Sequence, residues 1–180
     1  MQGHGEAGKA QMLQGLEALQ TTGAVLRRPY YLAVLAEVYG RQQQAREGLR
    51  LLTMALEVVH KSAERIHEAE LYRLKGELLL QQWQGAGGTV PVASPQPLTR
   101  NPPVEVEAEA CFLKALEVAR HQQAKSWELR AAISLSRLWR QQGKRQEACE
   151  LLAPICDWFT EGFDTADLQE AKALLQALES

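Results

Sequence analysis

The sequence predicts an all-α protein built from repeated helix pairs, on two observations. Ala, Leu, Glu, Gln, Arg and Lys dominate most of the chain, and apolar residues recur three and four positions apart, the spacing of one helix face. The same residue types also return at long fixed intervals, the mark of stacked supersecondary units.

The long intervals define the elements. Gly8, Gly48, Ala108 and Ala148 form a column of small residues, each opening the second helix of a pair, at steps of 40, 60 and 40. Four positions on stand Met12, Leu52, Phe112 and Leu152, and three beyond those Gly15, Ala55, Ala115 and Ile155. The first helices obey the same steps through Leu32, Tyr72, Ala132; Leu35, Lys75, Leu135; Ala36, Gly76, Ser136; and Tyr39, Leu79, Trp139. The unit is therefore 40 residues, with 20 more in the third copy.

Read in order, residues 1–25 form a half repeat with a helix over 6–22, and 29–62 form a full pair. Residues 65–122 form a pair interrupted at 84–104, 125–160 another pair, and 164–179 a closing amphipathic helix with Asp164 or Thr165 as N-cap. The interruption contains "GAGGTVPVASPQPLTRNPP", with three glycines and five of the chain's seven prolines. Proline lacks the amide donor and glycine loses too much entropy, so neither flanking helix extends through it. An exposed loop is expected there, either a docking element or a linker.

These columns resemble the tetratricopeptide repeat, whose pattern is W-x-x-L-G-x-x-Y followed by A-x-x-x-F-x-x-A. The second copy offers Leu32, Leu35, Ala36, Tyr39, Gly48, Leu52 and Ala55; the third Tyr72, Gly76, Leu79, Ala108, Phe112 and Ala115. The fourth offers Ala132, Leu135, Ser136, Trp139, Gly143, Ala148 and Leu152. The resemblance implies a right-handed α-solenoid of antiparallel helix pairs. Lys75 stands where the family usually has an apolar residue, and the unit exceeds the family's usual length of about 34 residues. "RPYYLAVLAEVYG", "EAELYRLKGELLL" and "GFDTADLQEAKALL" further resemble the C-terminal repeat regions of bacterial signalling proteins. Those proteins join a nucleotidyl cyclase domain or a transcription-factor module to a P-loop ATPase. The implied role is a regulatory arm that binds partners and neighbouring domains of a larger chain.

Other classes find less support. A net charge of −2 gives no overall reason to expect nucleic acid or an anionic membrane as partner. No apolar run approaches the ~20 residues that span a bilayer, and a cytoplasmic location is expected. Cys111, Cys149 and Cys156 make no C-x-x-C pair and read as packed thiols. "GHGEAGKA" at 3–10 nearly spells a P-loop, but the hydroxyl position is Ala10 and no strand precedes it. His60, Glu64 and His67 would share a face of one helix, yet the repeat puts a turn through them. No catalytic constellation, metal set or cofactor is expected. Trp139 reads as core, and Trp158 and Phe159 as packing for the closing helix.

In the tetratricopeptide family the first helix of each pair lines a concave groove. Beside the packing columns those helices carry Tyr30, Ala33, Glu37 and Arg41; Glu70, Arg73, Glu77 and Gln81; and Arg130, Ile133, Arg137 and Gln141, with Arg140 adjacent. The expected partner is a protein or peptide. An acidic segment lying against Arg130, Arg137 and Arg140 is one outcome; pairing of those arginines with neighbouring glutamates is the other. A chaperone-type carboxylate clamp is disfavoured, because the only asparagine is Asn101. The first copy has a second helix but no first, so Met12, Leu16 and Leu19 are expected to present a bare face. Such a face would meet the rest of a longer chain or a second copy in a homodimer.

Overall fold

A computed structural model describes residues 3–21, 27–62, 64–85 and 104–179. Among these residues there are eight α-helices and no strand. They are α1 (Gly3–Thr21), α2 (Arg28–Arg41), α3 (Ala45–Lys61), α4 (Glu68–Gly85), α5 (Val104–His121), α6 (Lys125–Gln141), α7 (Arg145–Asp157) and α8 (Ala166–Glu179). No helix is long and apolar enough to cross a membrane among the described residues. Residues 86–103, most of the proline-rich interruption, lie outside the described residues. The helices they connect run up to them on both sides and pack on each other.

Three connections are built alike. At 42–44, 122–124 and 142–144 the middle residue takes a positive φ: Gln43 at 61°, Gln123 at 55° and Gly143 at 79°. The following amide then reaches back to a carbonyl five residues earlier, Gln44 to Tyr39, Ala124 to Ala119 and Lys144 to Trp139, each at 2.9 Å. Left-handed residues of this kind end a helix by satisfying its orphan carbonyls, and they fold the chain back within three residues.

Packing sorts the helices into two rows. Each helix from α2 to α8 packs on its sequence neighbours, and α2, α4, α6 and α8 also touch one another in succession. The other helices, α3, α5 and α7, make no such contacts with each other among the described residues. α1 packs on α2 alone.

The small and large columns sit where the rows meet. Leu52, Phe112 and Leu152 are fully buried, as are Ala36, Ala55, Ala108, Ala115, Ala132 and Ala148. Fully burying a side chain such as Phe112 stabilises by about 2–3 kcal/mol. The small residues make that burial possible. A Cβ on Gly76 would lie 2.5 Å from Phe112 Cε1, and one on Gly48 2.6 Å from Leu78 Cδ1. In α1 the same register meets only α2 among the described residues: Gly8 and Met12 are half-buried and Gly15 is exposed. Leu19's side chain is outside the described set.

Two aromatic expectations divide. Phe159 packs against a core that includes α6, α7 and α8, but Trp158 is 57% exposed, with Phe159 edge-on at 5.1 Å and the Lys125 ammonium at 5.6 Å. Trp158 keeps helical backbone angles, and Phe159 continues the buried face of Ala148, Leu152, Ile155 and Cys156, whereas Trp158 stands about 100° away from it.

Candidate functional site

The C-terminal halves of α2, α4 and α6 enclose a groove of about 520 Å³. Each helix contributes the same two register positions. Glu37, Glu77 and Arg137 form one set; Arg41, Gln81 and Gln141, one turn further on, form the next. Both sets follow the 40- and 60-residue steps of the sequence repeat. Leu74, Leu78 and Leu138 make the apolar floor, with Phe112 of α5 below them. Gln81 Nε2 donates to the Gly40 carbonyl at 2.8 Å, tying α4 to α2 and leaving Gln81 Oε1 as an acceptor. Gln43 and Gln84 add two more amides at the rim.

Next to the groove lies a charged seam. Arg73, 6% exposed, donates from Nε and Nη2 to the two oxygens of Glu70, both at 2.7 Å, and from Nη1 to Glu77. Burial alone would lower the pKa of this guanidinium. The hydrogen bonds and charge of Glu70, joined by those of Glu77, outweigh burial and hold it above its ordinary value. The Ser134 hydroxyl donates to Glu77 at 2.8 Å, fixing that carboxylate from the α6 side. Arg130 reaches Glu70 at 3.0 Å and Asp167 at 3.9 Å, and Arg137 pairs with Glu170 of α8. Glu37 is paired with Arg41 at 2.8 Å on the surface of α2.

The structure thus brings Glu37, Arg41, Glu77, Gln81, Arg137 and Gln141 to one groove. Arg73 and Arg130 line a cleft of about 80 Å³ beside it, where Glu77, Ser134 and Arg137 also contribute. Of the arginines expected to meet an acidic segment, Arg130 and Arg137 pair with carboxylates of α4 and α8. Arg140 is exposed, lines neither space and makes no ion pair among the described residues. Tyr30 lies apart, at the N-terminal end of α2, with its ring centroid 5.0 Å from that of His67. Together with Arg27, Glu64 and Ile66 these two line a separate cleft of about 540 Å³. Burial lowers the His67 pKa, against the charges of Glu64 and Glu70, which raise it.

Sequence reasoning missed Leu78, Leu138, Ser134, Gln43 and Gln84 as groove residues. The first three carry a signal at the steps already in use: Val34, Leu74, Ser134 and Val38, Leu78, Leu138 are two further columns. Residues 3–10, the near P-loop, are helical rather than a phosphate-cradling turn. His60, Glu64 and His67 take separate partners. The His60 ring meets Tyr72 Oη at 3.4 Å, Glu64 accepts the Arg27 amide at 2.9 Å, and His67 stacks on Tyr30. No group of side chains suited to hold a metal ion occurs among the described residues. A scan against protein-family models gives no match, and a search of curated proteins gives none either.

Proposed function

We propose that the chain is a non-catalytic interaction module, a solenoid of the tetratricopeptide kind that takes an extended segment of a partner protein in the α2–α4–α6 groove. The observation that carries this reading is the shared register of the groove. Three helices each turn the same two positions toward one space, so a strand-like ligand crossing them would meet a repeating surface. The row contacts support a curved stack. Helices α2, α4, α6 and α8 touch one another while the other row does not, as on the compressed inner side of a superhelix. The glutamine amides, each both donor and acceptor, suit a peptide backbone. The segments that resemble bacterial signalling proteins support a regulatory arm working beside a cyclase or ATPase domain of a larger chain.

The test maps a bound peptide. Peptides recovered on the full chain from a random display library are added, and backbone hydrogen exchange is followed. Protection in the C-terminal halves of α2, α4 and α6 is expected. Protection confined to α3, α5 and α7 would refute the groove. ATP hydrolysis by the purified chain would refute the non-catalytic reading.

A second reading rests on α1. Met12, Gly15 and Leu16 form with Tyr31 an apolar cleft of about 360 Å³. A second copy docking there would make the chain a scaffold that dimerises. Light scattering that shows a monomer at every concentration would remove it.

A further inference from the structure

We infer that the segment taken by this groove is basic and apolar rather than acidic; the inference rests on the groove reading above and assigns its ligand chemistry. The arginines in and beside the groove are already engaged, and Arg140 lines neither space. Arg73 is enclosed by Glu70 and Glu77, Arg130 is bonded to Glu70 at 3.0 Å, and Arg137 is paired with Glu170. An acidic ligand would have to displace buried Glu70 from Arg73 and Arg130, and Arg73 is itself buried; at Arg137 it would compete with Glu170 across a half-exposed pair.

The backbone adds a field of the same sense. The groove reaches the last turns of α2, α4 and α6 at Arg41, Gln84 and Gln141, so three negative dipole ends lie at its edge. Cations are favoured there, although the terminal carbonyls of α2 and α6 already accept the amides of the turns that follow. Glu37 supplies the exchangeable contact. Its partner Arg41 has a side chain 76% exposed, joined to Glu37 by a single bond one turn away on the same helix. A ligand ammonium or guanidinium can take that place while Arg41 turns into water, where its charge is well solvated. Glu77 offers no such exchange, because Arg73 and Ser134 hold it from two sides. The floor of Leu78 and Leu138 then receives an apolar side chain of the same segment, and Gln81 Oε1 accepts from its backbone.

The experiment pans a phage library of random dodecapeptides against the full chain. Recovered peptides are synthesised and titrated into the wild type and into Glu37→Arg, Glu37→Gln and Gln141→Trp chains, with circular dichroism checking that each stays helical. Peptides rich in Lys or Arg beside Leu or Phe are expected. Glu37→Arg should weaken them about tenfold and Glu37→Gln less, since like charge repels where a neutral amide only fails to attract. Gln141→Trp should block them by filling the groove. Recovered peptides rich in Asp or Glu that Gln141→Trp still blocks would overturn the charge assignment and leave the groove standing. Peptides indifferent to Gln141→Trp, or a library that yields no groove binder, would overturn the groove reading and this inference with it.

Discussion

Replacing Gly76 with alanine tests the packing logic at its tightest point. The new Cβ would stand 2.5, 2.8 and 2.9 Å from Cε1, Cζ and Cδ1 of Phe112. All three are ring atoms, so no flexible end can swing aside. The ring is fully buried, with Ala108, Ala115 and Leu116 in the same core, and any shift spreads to them. Overpacking of this kind costs about 1–3 kcal/mol, and a rigid neighbour places it in the upper half. Against that, alanine gains about 1 kcal/mol of helix propensity over glycine. The net expectation is a loss of about 1–2 kcal/mol, or a melting point lower by about 2–8 °C for a chain of this size. Gly40→Ala is the control. Its Cβ would meet the Leu78 Cδ2 methyl at 2.7 Å, the end of a rotatable side chain rather than a rigid ring. It should fall short of the Gly76 loss. A Gly76→Ala chain that melts with or above the wild type would refute the account of Gly76 as the place where α4 and α5 approach.

Two further outcomes follow from the charged groups. Arg73→Met should cost about 3 kcal/mol in a urea melt, because it leaves the buried Glu70 without its bidentate guanidinium and the half-buried Glu77 without an ion-pair partner; Arg130 still serves Glu70, which keeps the loss from being larger. Acidification should destabilise the chain in two stages. The His67 pKa is lowered in the folded state by burial, so the unfolded chain takes up that proton first as pH falls below the ordinary 6.5, and stability declines. Burial pushes the Glu128 carboxyl up, but hydrogen bonds and charge from Lys125 and Arg120 hold it below its ordinary value. Its contribution is therefore present above 4.5 and is lost as pH falls further through the folded pKa. Thermal melts across this range should show both declines, and His67→Phe should remove the first. Stability that rises on passing below 6.5 would contradict the first sign, and stability that rises on passing below 4.5 the second.

How much of this was legible depended on whether the cause was local. Small residues at Gly48, Gly76 and Ala108 stood out because close approach of two helices excludes larger side chains at fixed positions, whatever lies elsewhere. The groove positions Glu37, Glu77 and Arg137 followed from the same steps, since one helix face repeats with the unit. That Arg130 and Arg137 pair with carboxylates was one of the two outcomes expected, but which carboxylates did not follow. Glu170 and Asp167, which pair with Arg137 and Arg130, belong to α8, and the repeat says nothing about a helix that stands outside it. Gln43 and Gln123 were equally silent. They take the left-handed conformation that Gly143 takes, and only the glycine announces it. Trp158 was misplaced because it was grouped with Phe159, although only Phe159 continues the buried face of α7.

Leu78 shows why core and groove cannot be read apart. Its two methyl groups press toward Gly48 and Gly40, 2.6 and 2.7 Å from where a Cβ would stand, while its outer side forms groove floor. The glycines therefore do more than let α2, α3 and α4 pack. By accepting Leu78 they draw it down out of the space between α2 and α4 and leave the groove its depth. The next unit reaches the same result by another route. There Leu138 is groove floor, and by the same steps the places of Gly40 and Gly48 are taken by Leu80 and Ala108. The proposed groove reading requires such floors in successive units, because an extended ligand strand rises ~3.3 Å per residue and would cross from one to the next.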